Sequence, residues 1–407
     1  MPSTLPDGET APTSGQLPGA AVREVGSASF SAYVHVPFCT TRCGYCDFNT
    51  YTANELSGVS QSQYVDGVLS EIKLAQSVVH HAPPLASIFF GGGTPTLLPP
   101  AEQALIVRAL AETFGTQPNC EITTEANPES VAAAQLDELR AAGVNRISFG
   151  MQSAVGHVLR TLDRTHTSGS VTDAVAGARR AGFDSVSVDL IYGTPGESLD
   201  DWQRTLDAAL ALEPDHVSAY SLIVEPGTAL ARRIDRGELD NIDGDDQADK
   251  YEAAERLLMS AGLQWYEVSN WARSPSDQCH HNLAYWRSQH WWGFGPGAHS
   301  HIGGVRWWNV KHPRAYDERM ASGRSPALAR EVLRDEDRAL ERVLLQVRLR
   351  EGMPVAELEA AGRAGASALV AEGLLDSAAL DSGQVVLTLR GRLLADLVVR
   401  RLSDGLP

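Results

Sequence analysis

Residues 33–48 read Tyr33-Val-His-Val-Pro-Phe-Cys39-Thr-Thr-Arg-Cys43-Gly-Tyr-Cys46-Asp-Phe48, and three of the chain's five cysteines fall among them. The spacing is C-x3-C-x2-C, directly after a short apolar run that reads as a strand. Thiolates crowded onto one loop repel each other and gain little from packing, so the cluster points to a metal. Their number matters. Structural zinc takes four protein ligands in a closed tetrahedron, whereas three thiolates on a [4Fe-4S] cube leave one iron without a protein ligand. Spacing alone leaves two other readings open. One is zinc, with His35 or Asp47 as the fourth ligand. The other is Cys43-Gly-Tyr-Cys46 as a redox pair, which does not need Cys39.

Outward from this loop, β-type runs alternate with helical ones. Ala32 to Pro37 is the first strand, and Val65, Val68, Leu69, Ile72 and Ala75 then fall on one face of a helix. Ser87-Ile-Phe-Phe90 runs into Gly91-Gly-Gly-Thr-Pro95, Glu121-Ile-Thr-Thr-Glu125 is the third strand, and Arg146 to Gly150 the fourth. Ser185 to Ile191 and Val217 to Ile223 complete six β/α units, which argue for parallel strands and an α/β fold. A closed eight-unit barrel needs two more units, so an open, partial (β/α)6 barrel is expected. In barrels of this kind ligands gather at the C-terminal ends of the strands. The cysteine loop, the glycine run, Glu125 and Gln152 all fall there. A glycine run lets backbone approach a ligand closely, although alone it is as readily a plain turn. Asp189 is an acid inside an apolar strand and needs partners. For any one of Glu125, Gln152, Arg164 or Asp189, a structural ion pair or helix cap is the simpler account.

The loop, the first strand and the glycine run together resemble the radical S-adenosylmethionine (SAM) enzymes. In that family the open iron of the cluster takes the amino and carboxylate groups of SAM, on a three-quarter barrel. More closely, Tyr33-Val-His-Val-Pro-Phe-Cys through Cys-Gly-Tyr-Cys-Asp-Phe-Asn49 is similar to the oxygen-independent coproporphyrinogen III oxidase (dehydrogenase) group. The dehydrogenases carry a further cysteine two residues after the third. Phe48 stands there, and it marks, with Asp47 and Asn49, the haem-chaperone branch of the group. The resemblance implies a [4Fe-4S] cluster on Cys39, Cys43 and Cys46, and SAM contacts from Tyr33, Gly93, Thr94, Glu125, Gln152, Arg164, Asp189 and Ala219. It leaves open one SAM site or two. On the family pattern an electron from the cluster cleaves SAM to methionine and a 5′-deoxyadenosyl radical. Whether this chain uses that chemistry as an enzyme is left open by the likeness.

Beyond the sixth unit come an acidic helix from about Asp245 to Leu263, then Cys279-His-His281-Asn282-Leu-Ala-Tyr285-Trp286 and Trp291-Trp292. Five of the eight tryptophans lie between 286 and 308, interleaved with histidines. Flat aromatic surface beside an imidazole suits a porphyrin and its iron, and a Trp-rich lid over the barrel is the plainer alternative. His281-Asn282-x-x-Tyr285-Trp286 resembles a haem-binding motif of the haem-chaperone branch. It implies bound haem with His281 as axial ligand, His280 and Cys279 standing close enough to substitute.

The remaining text bounds the setting. A formal charge of −17 argues against a nucleic-acid partner. No apolar run reaches the length of a membrane span, and an odd cysteine count with three clustered is no disulfide framework. A reducing cytoplasm is expected. The domain division expected is a disordered Pro/Gly/Ser/Thr-rich leader over 1–29, the partial barrel over 30–265, an aromatic, histidine-rich haem-binding segment over 266–326 and a C-terminal unit over 327–407. That last unit reads as helices at Glu336–Leu349, Val355–Ala361 and Ser367–Gly373 with a short β element, a winged-helix-like pattern the family also carries. The partners expected are haem and a haem-acceptor protein; coproporphyrinogen oxidation in porphyrin biosynthesis is the alternative function.

Overall fold

A computed structural model of the chain describes residues 6–56 and 60–403. Six strands, β1 Phe30–Val36, β2 Leu85–Gly92, β3 Thr116–Ala126, β4 Arg146–Gln152, β5 Ser185–Tyr192 and β6 His216–Ser221, pair in that order, all parallel. Their crossovers carry α1 Gln61–Val78, α2 Pro100–Phe114, α3 Ala133–Ala141, α4 Ser168–Ala181 and α5 Leu199–Leu210. Each helix buries one stripe; on α1 it is Val65, Val68, Ile72 and Ala75, and Ser60 with Gln63 closes a capping box at its start. β1 is buried along its whole length, as a strand covered on both faces should be. The expected open, partial barrel is what forms. The sheet has a linear order with two ends, and the six strands are its centre.

Both ends are extended by further strands. Beyond α6 Gly244–Ser260, strands β7 Gln264–Glu267 and β8 Asn270–Ala272 add to β6 through β8. After α7 His280–Trp286, strand β9 His290–Phe294 lies parallel to the free side of β1, with Trp292 opposite Ala32. Strands β10 His299–Ile302, β11 Val305–Asn309 and, after α8 Pro313–Ala321, β12 Ala327–Val332 continue outward.

This corrects the reading of the tryptophans. Trp292, Trp307 and Trp308 are buried, and Trp292 meets Trp307 edge-on at 4.8 Å. Trp292 also donates toward Glu71 of α1. Once β9 pairs with β1, Trp292 and Trp307 fall in the core of the sheet extension, and Trp308, on the opposite face of β11, is buried against His299, so these three form neither a porphyrin platform nor a lid.

The disordered leader is corrected too, for residues 6–29; residues 1–5 lie outside the described residues. Glu9–Thr10 pairs with β12, Gly19–Glu24 is helical, and Ala11, Ala21 and Val25 are buried. Edge pairing and three small apolar anchors supply the order that local periodicity did not reveal. In the C-terminal part, α9 Asp335–Gln346, α10 Ala360–Ala371 and α11 Ala395–Leu402 surround a two-stranded ribbon, Met353–Pro354 with Gln384–Val385. The two helices expected at 355–361 and 367–373 are a short 3-10 turn, Val355–Glu357, and the single α10. Arg392 ties this unit to the barrel, reaching Glu255 of α6 at 2.6 Å and stacking on Trp265 at 4.2 Å. Among the described residues no helix is long and apolar enough to cross a membrane.

Candidate functional site

The C-terminal ends of β1–β6 open into a cavity of about 590 Å³. Cys39, Cys43 and Cys46 line its mouth, on the loop that leaves β1. The loop is held from below. The His35 ring bonds the Asn49 carbonyl through Nε2 at 2.8 Å and the Tyr33 hydroxyl through Nδ1 at 3.1 Å. Burial drives the pKa of His35 down to about 3, so it is a neutral strut. Its Nε2 is held by the Asn49 carbonyl of the loop itself, so ligating zinc would release the contact that ties the loop to β1.

Polar groups already address the sulfurs. Arg164 Nη1 donates to Cys43 Sγ at 3.6 Å, and the Thr94 hydroxyl lies 4.0 Å from Cys39 Sγ. Burial pushes the Cys39 thiol up to about 11 and raises Cys46 as well, so these sulfurs hold a negative charge only with a metal to compensate it. Donors aimed at sulfur, thiols that ionise poorly alone and a buried, unpartnered Arg164 Nε fit an iron–sulfur cluster on these three residues.

The glycine run is required by geometry. Gly92 sits at φ +111°, where a Cβ would meet the His35 ring at 2.6 Å, and a Cβ on Gly93 would meet the Phe38 carbonyl at 2.4 Å. The run therefore packs directly on the cysteine loop, with Gly93 N–H bonded to Val36 and Thr94 N–H to Phe38.

Of the eight residues expected to contact SAM, Tyr33, Gly93, Thr94, Glu125, Gln152, Arg164 and Asp189 line the cavity. Ala219 is not among the lining residues. It is fully buried in the apolar core, because Ser218 and Tyr220 on either side take the inward positions of β6. Gln152 adopts φ 60°, a left-handed backbone held at the end of β4. Burial, reinforced by the charge of Asp189, pushes Glu125 up to about 7, and burial raises Asp189. Two buried carboxyls in one cavity with Arg164 suit a ligand with ammonium, hydroxyl and carboxylate groups.

His281, Asn282 and Tyr285 reach the same cavity from α7. The His281 ring is braced by Ser87 Oγ at Nδ1 and Tyr285 Oη at Nε2, both at 2.8 Å, and burial lowers its pKa to about 3. Asn282 donates to Glu267. Trp286 is turned away, against Tyr266, Ala272, Leu283 and Leu349, so it is corrected as a cavity residue. His280 also points outward, toward the Pro275 carbonyl, and cannot replace His281. Cys279 remains in the cavity wall beside Glu121.

Sequence reasoning passed over Asn127, Arg146, Ser148 and His216, all lining residues. Period-two counting from Gln152 would have found Arg146 and Ser148 on its face of β4.

An open parallel barrel with three thiols and a glycine turn at its mouth defines a radical SAM protein, and the Radical SAM superfamily pattern matches residues 33–209. A solved structure described as coproporphyrinogen III oxidase (HemN) from Escherichia coli, a radical SAM enzyme, superposes with a TM-score of 0.80 at 25% identity, covering 95% of this chain and 92% of that one. The chain belongs to the heme chaperone HemW family. It is 50% identical to heme chaperone HemW of Mycobacterium tuberculosis over 387 residues, 95% of this chain and 97% of that protein. It is also 35% identical to the Bacillus subtilis HemW, over 79% of this chain and 84% of that one.

Proposed function

We propose that this chain is a cytoplasmic haem chaperone that binds haem and a SAM-coordinated [4Fe-4S] cluster and passes haem to an acceptor protein. The observation that carries the reading is likeness to a heme chaperone at 50% identity over nearly the whole of both chains. Phe48 supports it, standing half-exposed at the cavity mouth where the dehydrogenases carry another cysteine. Tyr220 and Ile223 are exposed on the same rim, and an apolar rim suits a flat macrocycle.

In this reading Cys39, Cys43 and Cys46 hold the cluster. Tyr33, Gly93, Thr94, Glu125, Gln152, Arg164 and Asp189 surround SAM, and His281, with Asn282 and Tyr285 around it, is the axial ligand of haem. For that role the Tyr285 hydroxyl must yield Nε2. When bound, the cluster supplies one electron and SAM a sulfonium that such an electron can cleave. The chain's own groups bind, orient and shield that pair. The division at 30–265, 266–326 and 327–407 goes with the proposal; the separate apolar core of Val343, Val347, Leu369, Val398 and Leu402 supports a distinct C-terminal unit, whereas β12, paired with β11, belongs to the main sheet.

Likeness to the Escherichia coli oxidase favours a second reading, coproporphyrinogen III oxidation. One experiment separates the two. The anaerobically reconstituted protein is loaded with haem and mixed with an apo-haemoprotein, and a parallel sample receives coproporphyrinogen III and SAM. Transfer without conversion supports the chaperone, and conversion without transfer replaces it with the oxidase.

A further inference from the structure

Arg146 opens β4 and lines the closed end of the cavity, only 4% exposed. Its Nε is buried without a partner, and the guanidinium forms no hydrogen bond and no ion pair within 4.0 Å among the described residues. The nearby acids Glu121, Asp189 and Glu125 offset its charge without bonding it, each accepting from other donors; Glu125 takes the Gly92 N–H at 3.3 Å. Glu121 accepts the His280 N–H at 2.9 Å, the His281 N–H at 3.1 Å and the Cys279 thiol at 3.7 Å. Asp189 accepts the Ser148 hydroxyl at 2.9 Å on both oxygens. The ring nitrogens of His216 are taken by Ser187 and Tyr266.

A guanidinium cannot shed its proton to escape burial, and although nearby acids offset its charge, a buried donor left without an acceptor is unfavourable. What satisfies its planar fork best is a carboxylate. We infer that Arg146 is a carboxylate-binding residue for the ligand that fills the base of this cavity. The inference rests on the haem-chaperone reading, which supplies two ligands bearing that group: the tetrapyrrole, through a propionate, and SAM, through its methionine end. Arg146 and Gln152 stand at opposite ends of β4, about 20 Å apart at strand rise. The cysteine loop is at the Gln152 end, so the deeper position favours the propionate.

The test compares haem with its dimethyl ester on the unaltered reconstituted protein, by absorbance titration, and repeats both with Arg146→Gln. Losing a charge-assisted hydrogen bond should weaken binding about tenfold. The ester should bind about tenfold more weakly than haem to the natural chain, and Arg146→Gln should weaken haem to the level of the ester while leaving the ester unchanged. A parallel titration of SAM, read by the cluster's magnetic resonance spectrum, assigns the carboxylate to SAM if that affinity falls about tenfold and haem's does not. Equal binding of haem and ester, with both affinities unmoved by the substitution, overturns the inference and leaves haem binding intact. Failure of the natural chain to bind haem removes the chaperone reading instead, and the SAM titration then decides the role of Arg146 alone.

Discussion

The guanidinium of Arg164 donates to the sulfur of Cys43 at 3.6 Å, while its second nitrogen holds the Asn127 side chain at 2.8 Å and the Gly150 carbonyl at 3.0 Å. One side chain thus joins the cysteine loop to the ends of β3 and β4. An N–H aimed at a cluster sulfur favours the reduced, more negative state. Arg164→Ala should keep about four irons per chain and lower the cluster's reduction potential by on the order of 50 mV. A titration showing an unmoved potential would mean that the contact does not survive cluster loading.

Anaerobic reconstitution should yield about four irons and four sulfides per chain, the content of a cubane cluster. Cys46→Ala should reduce the iron to background. Stoichiometric zinc, or half that iron, in the natural protein would refute the cluster assignment.

Asn49 clamps the cysteine loop to the sheet extension, donating to the carbonyls of Pro296 at 3.1 Å and Lys311 at 2.9 Å. Asn49→Ala removes both of these hydrogen bonds and should cost about 2 kcal/mol of stability. Its melting temperature should fall, and its iron should be lost to a chelator faster than from the natural chain. A melt and a release rate that match the natural protein would show the clamp to be dispensable.

Glu71 of α1 lies deep under the same region and accepts from Tyr316 at 2.6 Å, Gly295 N–H at 2.9 Å, Asn309 at 2.8 Å and Trp292 at 3.4 Å. Burial outweighs these four donors and pushes its pKa from 4.5 up to about 7. The folded chain therefore holds a proton there that the unfolded chain has released above its ordinary value. That stabilising contribution is full below pH 4.5 and is lost as pH rises through 7. Glu71→Gln, which cannot ionise, should gain stability relative to the natural chain as pH is raised across this window. Urea unfolding of the cluster-free proteins at several pH values measures the difference, and a constant difference would exclude the linkage.

His281→Ala should weaken the absorbance shift that accompanies haem binding at least several-fold. Tyr285→Phe removes the hydroxyl that competes for Nε2, and it should leave the shift intact or strengthen it. If His281→Ala titrates like the natural chain, the axial ligand is another residue.

Much of the site was written locally. C-x3-C-x2-C and Gly91-Gly-Gly-Thr-Pro95 each close within one turn, so their chemistry follows from neighbours in the chain. Six runs of β-type residues separated by helical ones dictated the parallel order of β1–β6, since a crossover helix leaves few other topologies. The burial of Ala219 and of the tryptophans was not legible for one shared reason: composition does not say which face of a strand looks inward. That choice came from pairing, when β9 docked on β1 and β6 aligned beside β5.

The amino-acid order alone determined the cysteine loop, the open barrel and the end of it at which loop and glycine run meet, because each depends on short-range spacing. Only the tertiary structure decided that the residue 6–29 segment is ordered, that Trp292, Trp307 and Trp308 are core, and that Arg146 faces the cavity without a partner. Those outcomes depend on contacts between residues far apart in sequence, where burial and strand register, not local pattern, set the environment of each side chain.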